Sequence, residues 1–402
     1  MQIFKSLFRS GSFIKTSFIL CYLLSLVANV MDLDAITSLL NAAFAFMAVF
    51  VAFKGNLMTK PVIVELVVIL GLLLLYNIIG HSQLYAGWEG ANERGVFLQT
   101  FLLFIYLVIP YFLSRKGKLN NEDVIILFQI TFVYAIVMYF KNLLFLSVMS
   151  AINLGVGETT NNIGYMFVCL SPFIYLLKDK KKQIILLLAA VIFVILSAKR
   201  GAILLETLFM LYYLYSTYLK GRISLGRIFM FAVLLGIVAL IGYKIMLSND
   251  YIYDKFIMTT EGYSSGRDTL AEDILGYVFG SQSTLVSLFF GSGIGTSVNI
   301  AGNWAHNDWL EFISMSGLLG VFIYLKFYWS IWKIKRKCYL DQYGLIFTST
   351  AMMLFVMSFF SMAILISTTN SYSLMILMGY GYGKLAFKRR IKSLQSNSLL
   401  IR

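Results

Sequence analysis

Apolar residues run along this chain in blocks of fourteen to twenty-four, separated by polar connectors. A hydrocarbon core about 30 Å thick needs roughly 20 such residues per helix, so the blocks predict membrane-spanning helices. Twelve are found: Thr16–Val30, Ala35–Phe53, Pro61–Gly80, Val96–Leu113, Val124–Phe140, Ile163–Leu177, Ile184–Ser197, Ala202–Leu219, Ile228–Leu247, Trp309–Trp332, Leu345–Ile364 and Tyr372–Phe387. The sixth and seventh are short, and flanking lysines would let them reach the interface by snorkelling. The first block lacks a small-residue cleavage site and is followed at once by another span, so it reads as a helix and no signal peptide. Only 3 prolines occur, which predicts continuous spans. The whole of residues 1–402 therefore reads as one all-α, polytopic membrane domain.

Composition agrees. Hydrophobic residues make up 59% of the 402 positions, charged ones 13%, and mean hydropathy is +0.80. No soluble domain of this length buries that much apolar surface. The 3 cysteines lie far apart and suggest neither a disulfide framework nor a metal site.

Charge adds orientation. The net charge of +14 could suggest a nucleic acid, but its placement does not. All but seven of the 33 Lys and Arg side chains sit in alternate connectors and the two termini. By the positive-inside rule those connectors face the cytoplasm, so both termini are expected inside. The seven exceptions are Arg94, Lys141, Lys199, Arg200, Lys244, Lys255 and Arg267.

Two of these exceptions fall where the pattern is unusual. The connector Ser248–Asn307 is far longer than the other external ones and is expected to be a large periplasmic loop; loops of that length are usually functional. Within it, YSSGRDTLAEDILGYVFG reads as a short helix opened by a capping box from Ser265 to Asp268. Arg267, Leu270, Ala271, Ile274 and Val278 share one face of that helix. A guanidinium beside the free N–H groups of a first turn is an anion site. Pairing with Asp268, Glu272 or a lipid phosphate is the plainer reading. The following FFGSGIGTS reads as a tight turn that lets backbones approach closely, since no βαβ pattern accompanies its glycines.

The second exception is SAKRGAILLE, where Lys199 and Arg200 occupy a short external turn. Charges this close to lipid line a pathway or meet a partner, or else snorkel to phosphates. Glu206 lies on nearly the same helix face as Lys199 and could neutralise a basic group. Glu65, near Lys60, reads as structural. Asp32 and Asp34 form a D-x-D pair; Asp34 capping the second span is preferred over divalent-metal binding. His81 reads as an interfacial polar residue near Trp88.

The last element is AHNDWLEFISMSGLLG, from Ala305 to Gly320, which holds one of only 2 histidines. Asp308 and Glu311 have the spacing of an N-cap and its third helical position, so they are expected to start the tenth span. Trp304 and Trp309 fit an interfacial belt. His306 then lies just outside the helix, between rings and carboxylates that would set its tautomer, and a neutral imidazole there suits proton abstraction. No second histidine or cysteine is near, so no metal is expected.

From Ile195 to about Val321 these residues resemble the O-antigen polymerase and O-antigen ligase superfamily of bacterial membrane glycosyltransferases. ILSAKRGA, SSGR, the G-x-G and AHNDWLEF with GLLG carry the resemblance, the last most specifically. It implies catalytic roles for Arg200, Arg267 and His306. Lys199, Asn307, Asp308 and Glu311 would contribute to substrate binding. Many members have Ser-Arg or Thr-Arg where this chain has Lys-Arg, which leaves Lys199 without an assigned part. The implied substrate is an oligosaccharide on a polyprenyl diphosphate at the outer face of the inner membrane. The chemistry needs no cofactor and no metal. Partners would be membrane lipid and the flippase and chain-length regulator of the same pathway, with no nucleic acid. Polymerase is favoured over ligase. A carrier or lipid-glycan flippase is the alternative from another class, opposed by the long loop and the absence of a six-plus-six repeat.

Overall fold

The computed structural model describes residues 13–84, 93–151, 162–197, 199–219, 266–281, 283–336, 341–365 and 370–400, with single positions at 236, 240 and 244. The helices are α1 (Phe13–Val30), α2 (Asp34–Lys54), α3 (Pro61–Ile78), α4 (Glu93–Arg115), α5 (Asn121–Ala151), α6 (Gly164–Leu170), α7 (Lys180–Leu196), α8 (Arg200–Leu214), α9 (Arg267–Phe279), α10 (Leu285–Phe290), α11 (Thr296–Ala301), α12 (Asp308–Arg336), α13 (Gln342–Phe360) and α14 (Asn370–Leu400). No strand occurs among the described residues, only an isolated bridge between Ser82 and Ile294. Among the described residues, seven helices are long and apolar enough to cross a membrane: α1 to α5, α12 and α13. The protein is thus an all-α, multi-pass membrane protein. The predicted ninth span and the start of the long connector, including Ser265, lie outside the described residues, as do Trp88 and Cys338.

Local chemistry explains most helix ends. Pro61 opens α3, where its missing N–H has no partner to lose. Asp179 caps α7 through the Lys181 N–H at 2.9 Å, and Asp341 caps α13 through Tyr343 N–H at 3.1 Å. The expected sixth span ends its α-helical part at Leu170. Pro172 follows, and the chain continues as a 3-10 turn, Ser171–Leu176. Asp34 does not cap α2: Leu33 holds that position, and Asp34 is the first helical residue.

The core is built on α4, buried almost without interruption from Leu103 to Ser114. Against it lies α14, whose Gly379 and Gly383 rest on the carbonyls of Leu107 and Tyr111 with no room for a methyl. Small residues four apart let two membrane helices approach closely, which is how helices gain packing where lipid is as apolar as leucine. At one end, Lys15 of α1 and Asp123 of α5 form a buried ion pair at 2.7 Å. At the opposite end, Lys141 of α5 reaches Asp32 after α1, at 2.6 Å. Glu65 pairs with Lys326 at 3.5 Å rather than with nearby Lys60.

A second span departs from the expected continuity. Within α12, Gly317 has φ 61° and ψ −156°, and the helix breaks there. The break frees the carbonyls of Ser314 and Met315, which accept from the N–H groups of Ser292 and Gly293 at 2.9 and 3.0 Å. Gly291 and Gly317 sit backbone to backbone, and Gly293 lies against the His81 carbonyl. With φ of 73°, 104° and 80°, Gly291, Gly293 and Gly295 adopt conformations that L side chains rarely take. They form the close-approach turn that their spacing predicts. Only the sequence at Gly317 gave no warning, because a single glycine in a membrane helix is ordinary.

Candidate functional site

The site residues come from three segments far apart in sequence. α8 opens with Arg200, which is exposed, and Lys199 occupies its N-cap position. α9 opens with Arg267, capped by Gly266 at φ 74°. Ser265, from which a capping box is expected, lies outside the described residues. The apolar face predicted for α9 is real: Ile274 and Val278 are buried with Ala305 and Ile313, and Leu270 packs alongside.

What brings the segments together is the end of α13. Arg267 donates through Nη1 to the Phe360 carbonyl at 3.0 Å, and Asn307 donates through Nδ2 to the Phe359 carbonyl at 3.2 Å. These are consecutive orphan carbonyls of a helix C-terminus, the negative pole of its dipole. One residue earlier, Ser358 accepts from the Trp309 indole at 2.9 Å, and the Phe359 ring stacks on that indole. Trp309 therefore packs inward; it is no simple belt residue. The third segment is linked through Tyr165 of α6. Its hydroxyl faces Arg267 and Ser361, and it lies so close over Gly201 that a methyl there would collide. Gly201 adjoins Arg200. The basic turn, the loop arginine and the turn carrying His306 thus converge on one end of the bundle.

His306 is exposed and has φ 50°, a left-handed conformation uncommon for a residue with a Cβ. Its neighbours hold it there. Ala305 N–H donates to Glu311 Oε1 at 2.5 Å, and Trp304 N–H donates to Asn303 Oδ1 at 2.8 Å. On the other side Asn307 Oδ1 accepts from Trp309 N–H at 2.9 Å and Leu310 N–H at 3.3 Å.

This corrects the expected start of α12. Asn307 is the N-cap, a role for which asparagine ranks with aspartate. Asp308 is the first helical residue and is fully buried. Its carboxylate accepts from the Tyr324 hydroxyl at 2.7 Å and from the N–H groups of Ala363, Ile364 and Leu365 at 3.1, 3.0 and 3.3 Å. Glu311, also buried, accepts from the Ser297 hydroxyl at 2.7 Å besides Ala305. Both carboxylates hold their own chain in place. Both side chains, expected to contribute to substrate binding, lie below the surface. Asp308 is held by a segment 55 to 57 residues away in sequence, and Glu311 by residues 6 and 14 away.

Other expected residues fall elsewhere. Glu206 is buried and both its oxygens take the Ser171 hydroxyl, at 2.8 and 2.9 Å; no ion pair engages it among the described residues. His81 packs edge-on against Tyr76 with ring centroids 5.0 Å apart, and its carbonyl takes the Ile294 N–H. Asp32 is held by Lys141. Tyr165, Ser361 and the Phe359–Phe360 carbonyls were not foreseen. Nothing in their local sequence marks them, since a tyrosine in a membrane helix and a helix C-terminus occur everywhere.

No known protein family matches the chain, and no characterised protein does either.

Proposed function

We propose that this protein is a surface-polysaccharide polymerase, an inverting glycosyltransferase that needs no metal and joins polyprenyl-diphosphate-linked repeat units on the outer face of a bacterial inner membrane. The reading takes the chain to have twelve spans, cytoplasmic termini and its candidate site on the periplasmic side, following the distribution of Lys and Arg. The observation that supports it most is the pairing of Arg267 and Asn307 on consecutive carbonyls, with the exposed His306 beside them.

In this mechanism the donor diphosphate lies at headgroup depth against Arg267 and Arg200. A guanidinium has five N–H donors, so Arg267 keeps several for phosphate oxygens after bonding Phe360. The arginines stabilise the charge that builds as the anomeric carbon–oxygen bond to phosphate breaks. His306 accepts the proton of the attacking sugar hydroxyl, whose oxygen bonds the same carbon from the opposite face, inverting it. Lys199 and Asn307 border this space, while Asp308 and Glu311 fix the turn.

The test is the surface glycan of a strain lacking the gene, followed by purified protein with lipid-linked repeat units. Lipopolysaccharide with a single repeat unit, together with polymer made in vitro, is the expected result. Bare core with accumulating lipid-linked polymer would reassign the protein as a ligase. Repeat units trapped on the inner face would make it a flippase.

A further inference from the structure

From Ile274 to Ala305 the chain contains no Asp, Glu, Lys, Arg or His, although it lies in a connector expected to face water. Within that stretch, Leu285, Val286 and Phe289 of α10 turn outward, Leu285 with 77% and Val286 with 69% of their surface exposed. Two contacts fix where α10 lies. The Tyr76 hydroxyl of α3 donates to the Phe290 carbonyl at 2.5 Å. Gly317, at the break in α12, sits against Leu288 and Gly291. The two spanning helices that α10 touches also carry exposed apolar side chains, Ile78 of α3 and Phe322 of α12.

Height along α12 can be counted. Gly317 is nine residues from Lys326, about 14 Å at 1.5 Å per residue. Lys326 and Trp332 bracket the basic end of that span, so the edge of the hydrocarbon core falls between them. A core about 30 Å thick then extends beyond Gly317 on the far side by roughly 8–16 Å. The α10 segment is therefore at hydrocarbon depth. Irregular backbone can exist there only where protein satisfies it. It is satisfied: Ser292 and Gly293 donate to α12, Ile294 donates to His81 and accepts from Gln83, and residues 291–298 are all buried.

We infer that Leu285–Ile294 is a re-entrant element that leaves the external face, enters the bilayer with α10 against acyl chains, and returns through the break in α12 to the turn bearing His306. The break exists to admit it. Up to Gly317, α12 is covered by this element and its neighbours; beyond Gly317 it meets lipid directly. The inference concerns membrane contact and holds whatever reaction the site performs.

Full-length protein in lipid nanodiscs, where aqueous reagents reach both faces, provides the test. Single cysteines are introduced by Val286→Cys and, as a reference on the exposed side of α9, Glu272→Cys, with the three native cysteines replaced by alanine. The variant Val286→Cys should react with a charged maleimide at least tenfold more slowly than Glu272→Cys. A fluorophore attached at 286 in detergent before reconstitution should be quenched more strongly by spin labels halfway down the acyl chains than by headgroup labels. Should the alanine background fail to fold, the same pair is read in the native background against unmodified protein. A rate less than tenfold slower overturns the inference. So does slow reaction without acyl-chain quenching, which would mean that protein covers α10.

Discussion

Two turns at the same end of the bundle share a local geometry and differ in everything around it. Asp32, between α1 and α2, and His306, before α12, both have φ near +50° without being glycine, and both stand within two residues of a carboxylate that begins a helix. Asp32 is 76% exposed and is held by one lysine, Lys141, which also bonds the Val30 carbonyl. His306 is framed by residues bonded to α13, to Ser297 and to the Ala363–Leu365 segment. Aspartate enters the left-handed region readily, so the first turn needs little support. The second keeps a histidine there through bonds from several elements, the arrangement in which backbone strain accompanies function.

Four variants test that contrast. The largest effect is expected from His306→Asn, because asparagine tolerates the left-handed conformation but cannot fill the proposed role of base. Turnover of lipid-linked repeat units should fall about 10²–10⁴-fold with donor binding retained. Normal turnover would reduce the His306 turn to the status of the Asp32 turn. Next comes Asp308→Ala, which strands three backbone N–H groups and leaves the Tyr324 hydroxyl only Tyr328 as a partner. Each buried group left unbonded costs about 1–3 kcal/mol, so thermal unfolding in detergent should shift markedly and little folded protein should accumulate.

Smaller, but specific, is Arg200→Lys. An ammonium does not reproduce a bidentate grip on phosphate, so most polymerising activity should be lost at unchanged protein level. Near-normal polymer would place Arg200 among snorkelling residues. Last is the pair Asp32→Asn with Asp34→Asn. An exposed ion pair contributes about 0–1 kcal/mol after solvent screening, so stability and activity should change little. Loss of activity without loss of protein would point instead to a divalent cation held at that turn, and activity that survives in chelator would argue against one.

Much of the fold was legible residue by residue. The apolar blocks match α1 to α5, α12 and α13 to within a few residues, apart from the longer extensions of α5 and α12, and the α9 face through Ile274 and Val278 follows its helical spacing. The short sixth block, by contrast, hid a change of helix type at Pro172. Arg267, Asn307 and His306 could be singled out as unusual, but not the meeting of Arg267 and Asn307 on the Phe360 and Phe359 carbonyls. Asp308 and Glu311 showed capping spacing, and Asn307 took the cap.

By itself, then, the sequence determined what lipid demands. A hydrocarbon solvent accepts only long apolar helices with satisfied backbones, and that requirement is written locally, some twenty residues at a time. The tertiary structure alone decided which carboxylate is a surface ion pair and which is a buried anchor. It also decided that α12 breaks at Gly317 and that three basic or polar turns share one end. Those outcomes depend on backbone groups delivered from distant segments, as when Ala363 to Leu365 bring three N–H donors to Asp308, and no local pattern encodes a partner more than fifty residues away.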